Sequence, residues 1–324
     1  MRLSTALSLL VVVGSYGASA FIGPPSTSNA ARALRSAVSD NAAPTASEIN
    51  ARMEEIQKKM ELKDKASTEL SKENLDILFQ DEHIVVVNKP AGVLSVPGKT
   101  DNPSLNKAVF DAVGCDMGRM DMMVVHRLGM DTSGVMVFAK TREALKNMNK
   151  RFRNRDVSRQ YEALVIGHVE NDEGFIDLPL IRDYENAPYM RVSTDAHQLV
   201  LADFTSDDVH KKLLDPPKDS VTKYEVTSRE DFGEDQLSAT RVTLTSITGR
   251  THQLSVHCAA FGHPIVGDKS YGLGGDAAPN GGLSVDEMEA LAYNPQRASV
   301  DLQEQMAAAS LDMKNMCVHA KSIS

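Results

Sequence analysis

The alternation of apolar and polar residues is most informative between positions 124 and 141. Two short apolar runs, Val124-Val125 and Val135 to Phe138, bracket a polar stretch that contains two glycines. Short apolar runs bounded by polar, glycine-containing turns predict strands joined by a loop. A loop held by strands at both ends suits chemistry, although an ordinary surface hairpin gives the same pattern.

Three helices are predicted from apolar residues that recur at helical spacing. The first covers 47–63, has Thr45 and Glu48 placed for a capping box, and lies on the main domain or projects from it. The second runs from Ser104 to Gly114, and the third, from Thr141 to Arg155, has one apolar and one cationic face. Strands are predicted at 84–87, 158–165, 221–228 and 239–246.

Length and composition place few limits on the function. A chain of 324 residues with 42% hydrophobic residues has room for one large or two ordinary domains. The three cysteines lie far apart and follow no metal or disulfide spacing, so no structural zinc is implied. Residues 203–219 are acidic, contain prolines and predict a surface insertion.

The charge is unevenly distributed along the chain. The formal net charge is −9, which argues against indiscriminate coating of nucleic acid, because lysine and arginine drive phosphate binding. Residues 140–161 nevertheless contain eight basic and two acidic residues. Such a patch is either a solvated helix face or a local surface for a phosphate backbone.

The first 45 residues have the composition of a targeting sequence. Residues 1–20 combine Arg2, an apolar run and Ala18-Ser19-Ala20, which predicts a signal peptide with cleavage before Phe21. Residues 21–45 are rich in Ser, Ala and Pro, as in transit peptides. This order resembles the bipartite plastid presequence of algae with complex plastids, and therefore predicts a plastid protein; secretion or another organelle is the alternative.

The motifs HRLGMDTSG (126–134), TGRTHQLSVH (248–257) and FGHPIVGDKSYG (261–272), with others between residues 75 and 324, resemble in type and order those of the RluA class of RNA pseudouridine synthases. The 126–134 stretch, HRLGMDTSG, is similar to the signature HRLDxxTSG of that class, with Gly129 at the position of the catalytic aspartate. Ser255 likewise stands where the family has an arginine, and Arg159 where it has a lysine. The other matching motifs are at 84–92 (IVVVNKPAG), 158–167 and 174–183.

The resemblance implies an α+β fold with a mixed, mainly antiparallel sheet around a central cleft and peripheral helices. It predicts a catalytic domain at 75–324, preceded by a helical linker at 46–74. The final residues, 317–324, resemble a family strand cut off before its usual continuation, which predicts a domain truncated at its C-terminus. The family needs no metal or organic cofactor.

The same resemblance implies roles for individual residues. Arg127 would fill the place vacated by a flipped uridine, and Tyr161 would lie against the uracil, positioned to take its C5 proton. Arg250 would keep a nearby carboxylate ionised. Lys89 is interpreted as a turn lysine in solvent. The predicted RNA-binding residues are His126, Arg127, Thr132, Ser133, Lys140, Lys150, Arg151, Arg159 and His252.

Gly129 leaves the catalytic carboxylate without an obvious source. The first hypothesis is that Asp131 replaces it, since side chains two residues apart on an extended chain point to the same side. The second is a catalytically impaired RNA-binding protein, and the third a non-RNA interaction protein on the same fold. The predicted partner is rRNA or tRNA, bound by a monomer that makes no membrane contact in its mature form.

Overall fold

The computed structural model describes residues 44–291 and 297–324, so the predicted signal peptide and nearly all of the predicted transit peptide lie outside the described residues. Seven α-helices occur in the described part of the chain. They are α1 (Ala46–Asp64), α2 (Leu105–Val113), α3 (Arg142–Asn154), α4 (Asp195–Leu201), α5 (Gln253–Ala260), α6 (Val285–Glu289) and α7 (Val300–Ala309).

The strands alternate with these helices and with short 3-10 turns. They are β1 (Ile77–Gln80), β2 (Ile84–Lys89), β3 (Ser133–Ala139), β4 (Arg159–Ile166), β5 (Glu173–Asp177), β6 (Leu180–Arg182), β7 (Met190–Val192), β8 (Val221–Phe232), β9 (Leu237–Ser246) and β10 (Val318–Ile323). No described helix is long and apolar enough to cross a membrane.

Eight strands form one sheet in the order β1-β2-β3-β10-β4-β9-β8-β5, and β6 pairs with β7 separately. Every pairing is antiparallel except that of β10 with β3. This confirms the expected mixed, mainly antiparallel α+β fold. The C-terminal strand β10 is paired on both sides, because it lies between β3 and β4.

The parallel β3–β10 pairing is short and requires a glycine. Its register joins Ser133 to His319 and Gly134 to Ala320. Gly134 has φ +114°, and a Cβ at this position would collide with the backbone of Ala320. The glycine of the TSG sequence therefore allows the two strands to approach each other.

Two hydrophobic cores lie on either side of this junction. One contains Val87, Phe138 and Ala320 from the β2-β3-β10 half, and the other contains Leu244 and Val256 from the β9-α5 half. Tyr161 of β4 packs against both cores, and is therefore located where the two halves meet.

All three predicted helices are confirmed, and their capping residues explain their bounds. Thr45 and Glu48 form the predicted capping box of α1. Ser104 caps α2, which ends at Gly114, and Thr141 caps α3. The strand predicted at Val124-Val125 is wrong: a 3-10 turn (Met120–Met123) precedes it, and only an isolated bridge joins Val124 to Phe138.

Helix α1 packs on the sheet domain and does not project from it, which were the two arrangements that its sequence allowed. Its residues Ile49 and Ile56 are buried, in two different hydrophobic clusters. Ile49 shares its cluster with Val209 and Leu213 of the predicted insertion, which is therefore a folded segment with its own apolar anchors. The segment predicted as a linker thus holds two parts of the domain together.

Candidate functional site

A buried lysine holds the loop formed by residues 126–132, here called the signature loop, through hydrogen bonds to its backbone. Lys89, at the end of β2, is fully buried and its Nζ donates hydrogen bonds to the carbonyl oxygens of Pro90, Met130 and Thr132 at 2.8–3.0 Å. The expectation of a solvent-exposed turn lysine is wrong. Burial lowers the pKa of Lys89 to about 7, opposed by the nearby Asp131 carboxylate.

His126 supports the same loop from inside the fold. Its Nε2 accepts the backbone N–H of Val137 at 3.0 Å, and its ring stacks on Phe152 of α3 with centroids 5.4 Å apart. Burial, reinforced by the neighbouring Arg159 cation, lowers the pKa of His126 to about 4. The imidazole is therefore neutral at physiological pH and ties the loop to β3 and α3.

A second loop, residues 248–252, faces the signature loop and is organised by one glutamine. Gln253 is buried, and its Oε1 accepts hydrogen bonds from the Thr248 hydroxyl at 2.8 Å and the Arg250 backbone N–H at 2.9 Å. Its Nε2 donates to the Val221 carbonyl at 3.0 Å. A buried amide satisfied at both ends fixes a loop firmly, since leaving either end unpaired is costly.

Between the two loops lies a cavity of about 420 Å³, here called the central cavity. Tyr161 projects into it from β4, and Arg159 lies two residues before Tyr161 with its guanidinium carbon 5.9 Å from the centre of the Phe152 ring. Burial raises the pKa of Tyr161, opposed by Arg159, so the phenol is neutral at physiological pH. The cavity therefore combines one neutral aromatic wall with several cations.

The central cavity gathers seven of the predicted site residues. They are His126, Arg127, Thr132, Arg159, Tyr161, Arg250 and His252. Their roles stay predictions, but their juxtaposition from three separate motifs is a property of the fold. The predicted residues that do not line this cavity are Asp131, Ser133, Lys140, Lys150 and Arg151.

Four of those five residues, all except Asp131, lie at the β3–β10 junction, beyond the end of β3 or on the surface of α3. The Ser133 hydroxyl bonds to His319 Nδ1 at 2.9 Å, as part of the β3–β10 junction. Lys140 lies at the opposite end of β3, roughly 20 Å away along the strand, and donates to the Asp81 carbonyl. Lys150 and Arg151 are exposed on α3. A phosphate contact by any of them would belong to RNA extending beyond the central cavity.

Asp131 points into a neighbouring cavity of about 400 Å³, here called the α1 cavity. Its carboxylate pairs with Lys63 of α1 at 2.5 Å. Gly129 and Ser255 line both the α1 cavity and the central cavity. The two cavities therefore meet where the related family has an aspartate and an arginine.

No carboxylate is found among the described residues that line the central cavity. Its cations consequently lack an acidic partner there: Arg250 Nε donates to the backbone carbonyl of Asp219, and the buried Arg159 Nε has no hydrogen-bond partner. Unpaired buried donors are uncommon in folded proteins. The cavity is therefore electrostatically suited to an anionic or carbonyl-rich ligand.

Sequence reasoning missed the residues that hold the loops in place. Lys89, Phe152 and Gln253 make the contacts described above, and the sequence predicted a supporting role for none of them. The sequence did hold a signal for Gln253, because it follows a polar loop directly and precedes an apolar helix. Nothing in the sequence indicated that Phe152 would support both His126 and Arg159.

Comparison with known proteins gives one family. The model of the RNA pseudouridylate synthase family matches residues 83–260. The chain is 43% identical over 195 residues to the dual-specificity RNA pseudouridine synthase RluA of Yersinia pestis. The aligned region covers 60% of this chain and 81% of that protein. It is 40% identical over 197 residues to the protein of the same name from Escherichia coli, covering 61% and 77% respectively.

A solved structure supports the fold. The human RNA pseudouridylate synthase domain-containing protein 1 is similar with a TM-score of 0.51 at 24% identity, over 79% of this chain and 80% of that chain. At this level of identity the likeness concerns the fold alone.

Proposed function

This chain belongs to the RNA pseudouridylate synthase family, and from that premise we propose that its central cavity isomerises a uridine, flipped out of structured rRNA or tRNA, to pseudouridine. The observation that supports this proposal most directly is the meeting of Tyr161, Arg127 and Arg250 in one cavity of about 420 Å³. That volume is in the usual range for a small-molecule pocket. A uridine inside a duplex or stack has to leave it to be reached, at a cost of roughly a few kcal/mol.

The reaction exchanges one bond at the sugar for another. The N1–C1′ bond of the uridine breaks, the base turns, and C5 bonds to C1′; the C5 proton is then lost and N1 ends protonated, so the composition is unchanged. Positive charge develops on the sugar as the first bond breaks, as in glycoside hydrolysis, and a carboxylate stabilises it. In the proposal Tyr161 lies against the uracil and Arg127 fills the vacated position in the RNA.

Asp131 is the carboxylate that the proposal assigns to this role. It is two residues from Gly129 and borders the α1 cavity, which shares Gly129 and Ser255 with the central cavity. Its carboxylate pairs with Lys63 in the α1 cavity, whereas Tyr161 lines only the central cavity of the two. An RNA phosphate that bound Lys63 would release Asp131, because an exposed ion pair of this kind is weak and readily exchanged.

Asp131→Asn tests this assignment. We expect the variant to lose pseudouridine formation by about 10²- to 10⁴-fold, the range for removing an essential acid or base, while its RNA affinity changes little. The measurement is pseudouridine mapping of rRNA and tRNA incubated with each protein; both are included because the bacterial relatives are named dual-specificity enzymes. Lys63→Gln serves as the control, since it frees Asp131 without removing it. Unchanged activity in Asp131→Asn would remove Asp131 from the mechanism.

RNA binding without isomerisation is the second candidate function. Gly129 favours it, because the position of the family aspartate has no side chain and the described cavity lining has no other carboxylate. This candidate predicts salt-dependent binding of uridine-containing RNA by the wild-type protein with no pseudouridine in the product. Pseudouridine formed by the purified wild-type protein would exclude it.

For the location of the protein we propose the plastid, on the basis of the signal-like residues 1–20 and the transit-like residues 21–45. A fluorescent protein fused to residues 1–45 is expected to enter plastids of an alga that has complex plastids. Deleting residues 21–45 from the fusion is the matched control and should stop it in the secretory pathway. Retention of the full fusion in the secretory pathway would overturn the proposal.

A further inference from the structure

A third cavity adjoins the central cavity and shares no lining residue with the α1 cavity. This side cavity has a volume of about 220 Å³ and shares Gly249, Arg250 and Thr251 with the central cavity. It is small for a complete ligand pocket, since those usually exceed about 300 Å³. A single phosphate group with its flanking oxygens fits this size better than a base does.

The side cavity is strongly basic. Four cations line it: Arg182, Lys212, Lys218 and Arg250. Among the described lining residues Asp215 is the one carboxylate, and it pairs with Lys218 at 3.2 Å. Three cations therefore remain for a ligand, and three positive charges converging on so small a space are suited to an anion.

Folded surroundings hold these cations in place. Arg182 ends β6 and donates to the Pro188 carbonyl at 2.5 Å, while Arg250 donates to the Asp219 carbonyl at 3.0 Å. Lys212 comes from a 3-10 turn (Lys211–Leu214) of the 203–219 insertion, and its neighbour Leu213 is fully buried. The Leu213 anchor fixes the direction of the turn, so Lys212 borders the cavity and the adjacent Lys211 does not.

We propose that the side cavity binds a backbone phosphate of the RNA, next to the nucleotide that occupies the central cavity, and that Lys212 of the insertion supplies part of this site. The inference rests on the proposed function, because it takes RNA as the ligand. Phosphate contacts of this kind set the register of a nucleic acid on a protein. The insertion thereby contributes to which uridine is presented to Tyr161.

The test compares Lys212→Ala with Lys211→Ala, two neighbouring exposed lysines of one turn. RNA affinity is measured at several KCl concentrations with a fluorescein-labelled RNA hairpin that has a uridine-rich loop. We expect Lys212→Ala to weaken binding several-fold and to lower the salt slope by about 1, the change for one lost phosphate contact. Lys211→Ala should leave both quantities at the wild-type values.

The outcomes separate this inference from the proposed function. If the wild-type protein shows no salt-dependent RNA affinity, the proposed function itself fails. If the wild-type protein binds RNA and the two variants behave alike, only the side-cavity inference fails. A second arm adds inorganic phosphate to the RNA-free proteins: thermal stabilisation that Lys212→Ala abolishes, without any change in RNA affinity, would identify a site for free phosphate and overturn the RNA assignment.

Discussion

In the Asp131→Asn background, Gly129→Asp is expected to raise the rate of pseudouridine formation by about 10²- to 10⁴-fold, the range for supplying an essential catalytic group. The substitution places a carboxylate directly in the lining of the central cavity, with Tyr161 and Arg250. Asp131, in contrast, lies in the α1 cavity and pairs with Lys63. A carboxylate already in the cavity needs no ion pair to open before it can stabilise charge on the sugar.

The position accepts a side chain without backbone strain. Gly129 does not have a left-handed φ, and the nearest atom to a Cβ built there is Thr132 Oγ1 at 3.3 Å. That contact is tight by a few tenths of an ångström, so Thr132 Oγ1 has to shift by about that distance. Arg159, with its unpaired buried Nε, and Arg250 are cations of the same cavity that favour the ionised form of the new aspartate.

The rate is measured in single-turnover assays on the RNA that the mapping identifies, with Gly129→Asn as the control. Asparagine has nearly the same shape as aspartate and no charge, so a gain common to both variants would point to loop rigidity. Ser255→Arg, alone and combined with Gly129→Asp, restores the second family residue that borders both cavities. If Gly129→Asp and its combination with Ser255→Arg both leave the rate at that of Asp131→Asn, the central cavity is not the site of the reaction.

Lys89→Met is expected to lower the free energy of unfolding by about 3 kcal/mol at neutral pH. Methionine fills a similar volume but leaves the Pro90, Met130 and Thr132 carbonyls without their donor. Each buried acceptor that loses its partner costs about 1–3 kcal/mol, and part of this is offset because a buried charge is removed. Two of these carbonyls belong to the signature loop, so activity should fall with stability.

The pH dependence of the free energy of unfolding, compared between the wild type and Lys89→Met, gives a second measurement. The pKa of Lys89 is lowered from 10.5 to about 7 in the folded protein, so the folded state binds fewer protons than the unfolded state between these values. The wild-type free energy of unfolding should therefore gain a contribution that rises with pH from about 7 to 10.5. Denaturant titrations across this window should show that rise in the wild type and its absence in Lys89→Met.

Lys146→Met is the matched control, because Lys146 is exposed on α3. A surface substitution of this type changes stability by about 0.5 kcal/mol or less. Equal losses in the two variants would mean that the buried hydrogen bonds of Lys89 contribute nothing specific to the fold.

Local patterns predicted the helices better than they predicted which side chains would meet. The caps at Thr45, Ser104 and Thr141 could be identified in the sequence because a capping side chain bonds to its own helix a few residues away. The burial of Lys89 could not be identified in the sequence, since two of its three hydrogen-bond acceptors are 41 and 43 residues further along the chain. The sequence of a turn motif does not distinguish a lysine that becomes buried from one that stays exposed to solvent.

The sequence by itself determined the family, the α+β class and the departure at Gly129, because ordered motifs and local periodicity are properties of the chain in one dimension. Only the tertiary structure decided which charges share a cavity. It brought Tyr161 of β4 and Arg250 of the loop after β9 into one cavity, and it placed Asp131 against Lys63 of a helix almost seventy residues earlier. The physical reason is that loop direction follows from long-range packing and buried hydrogen bonds, which spacing along the chain does not encode.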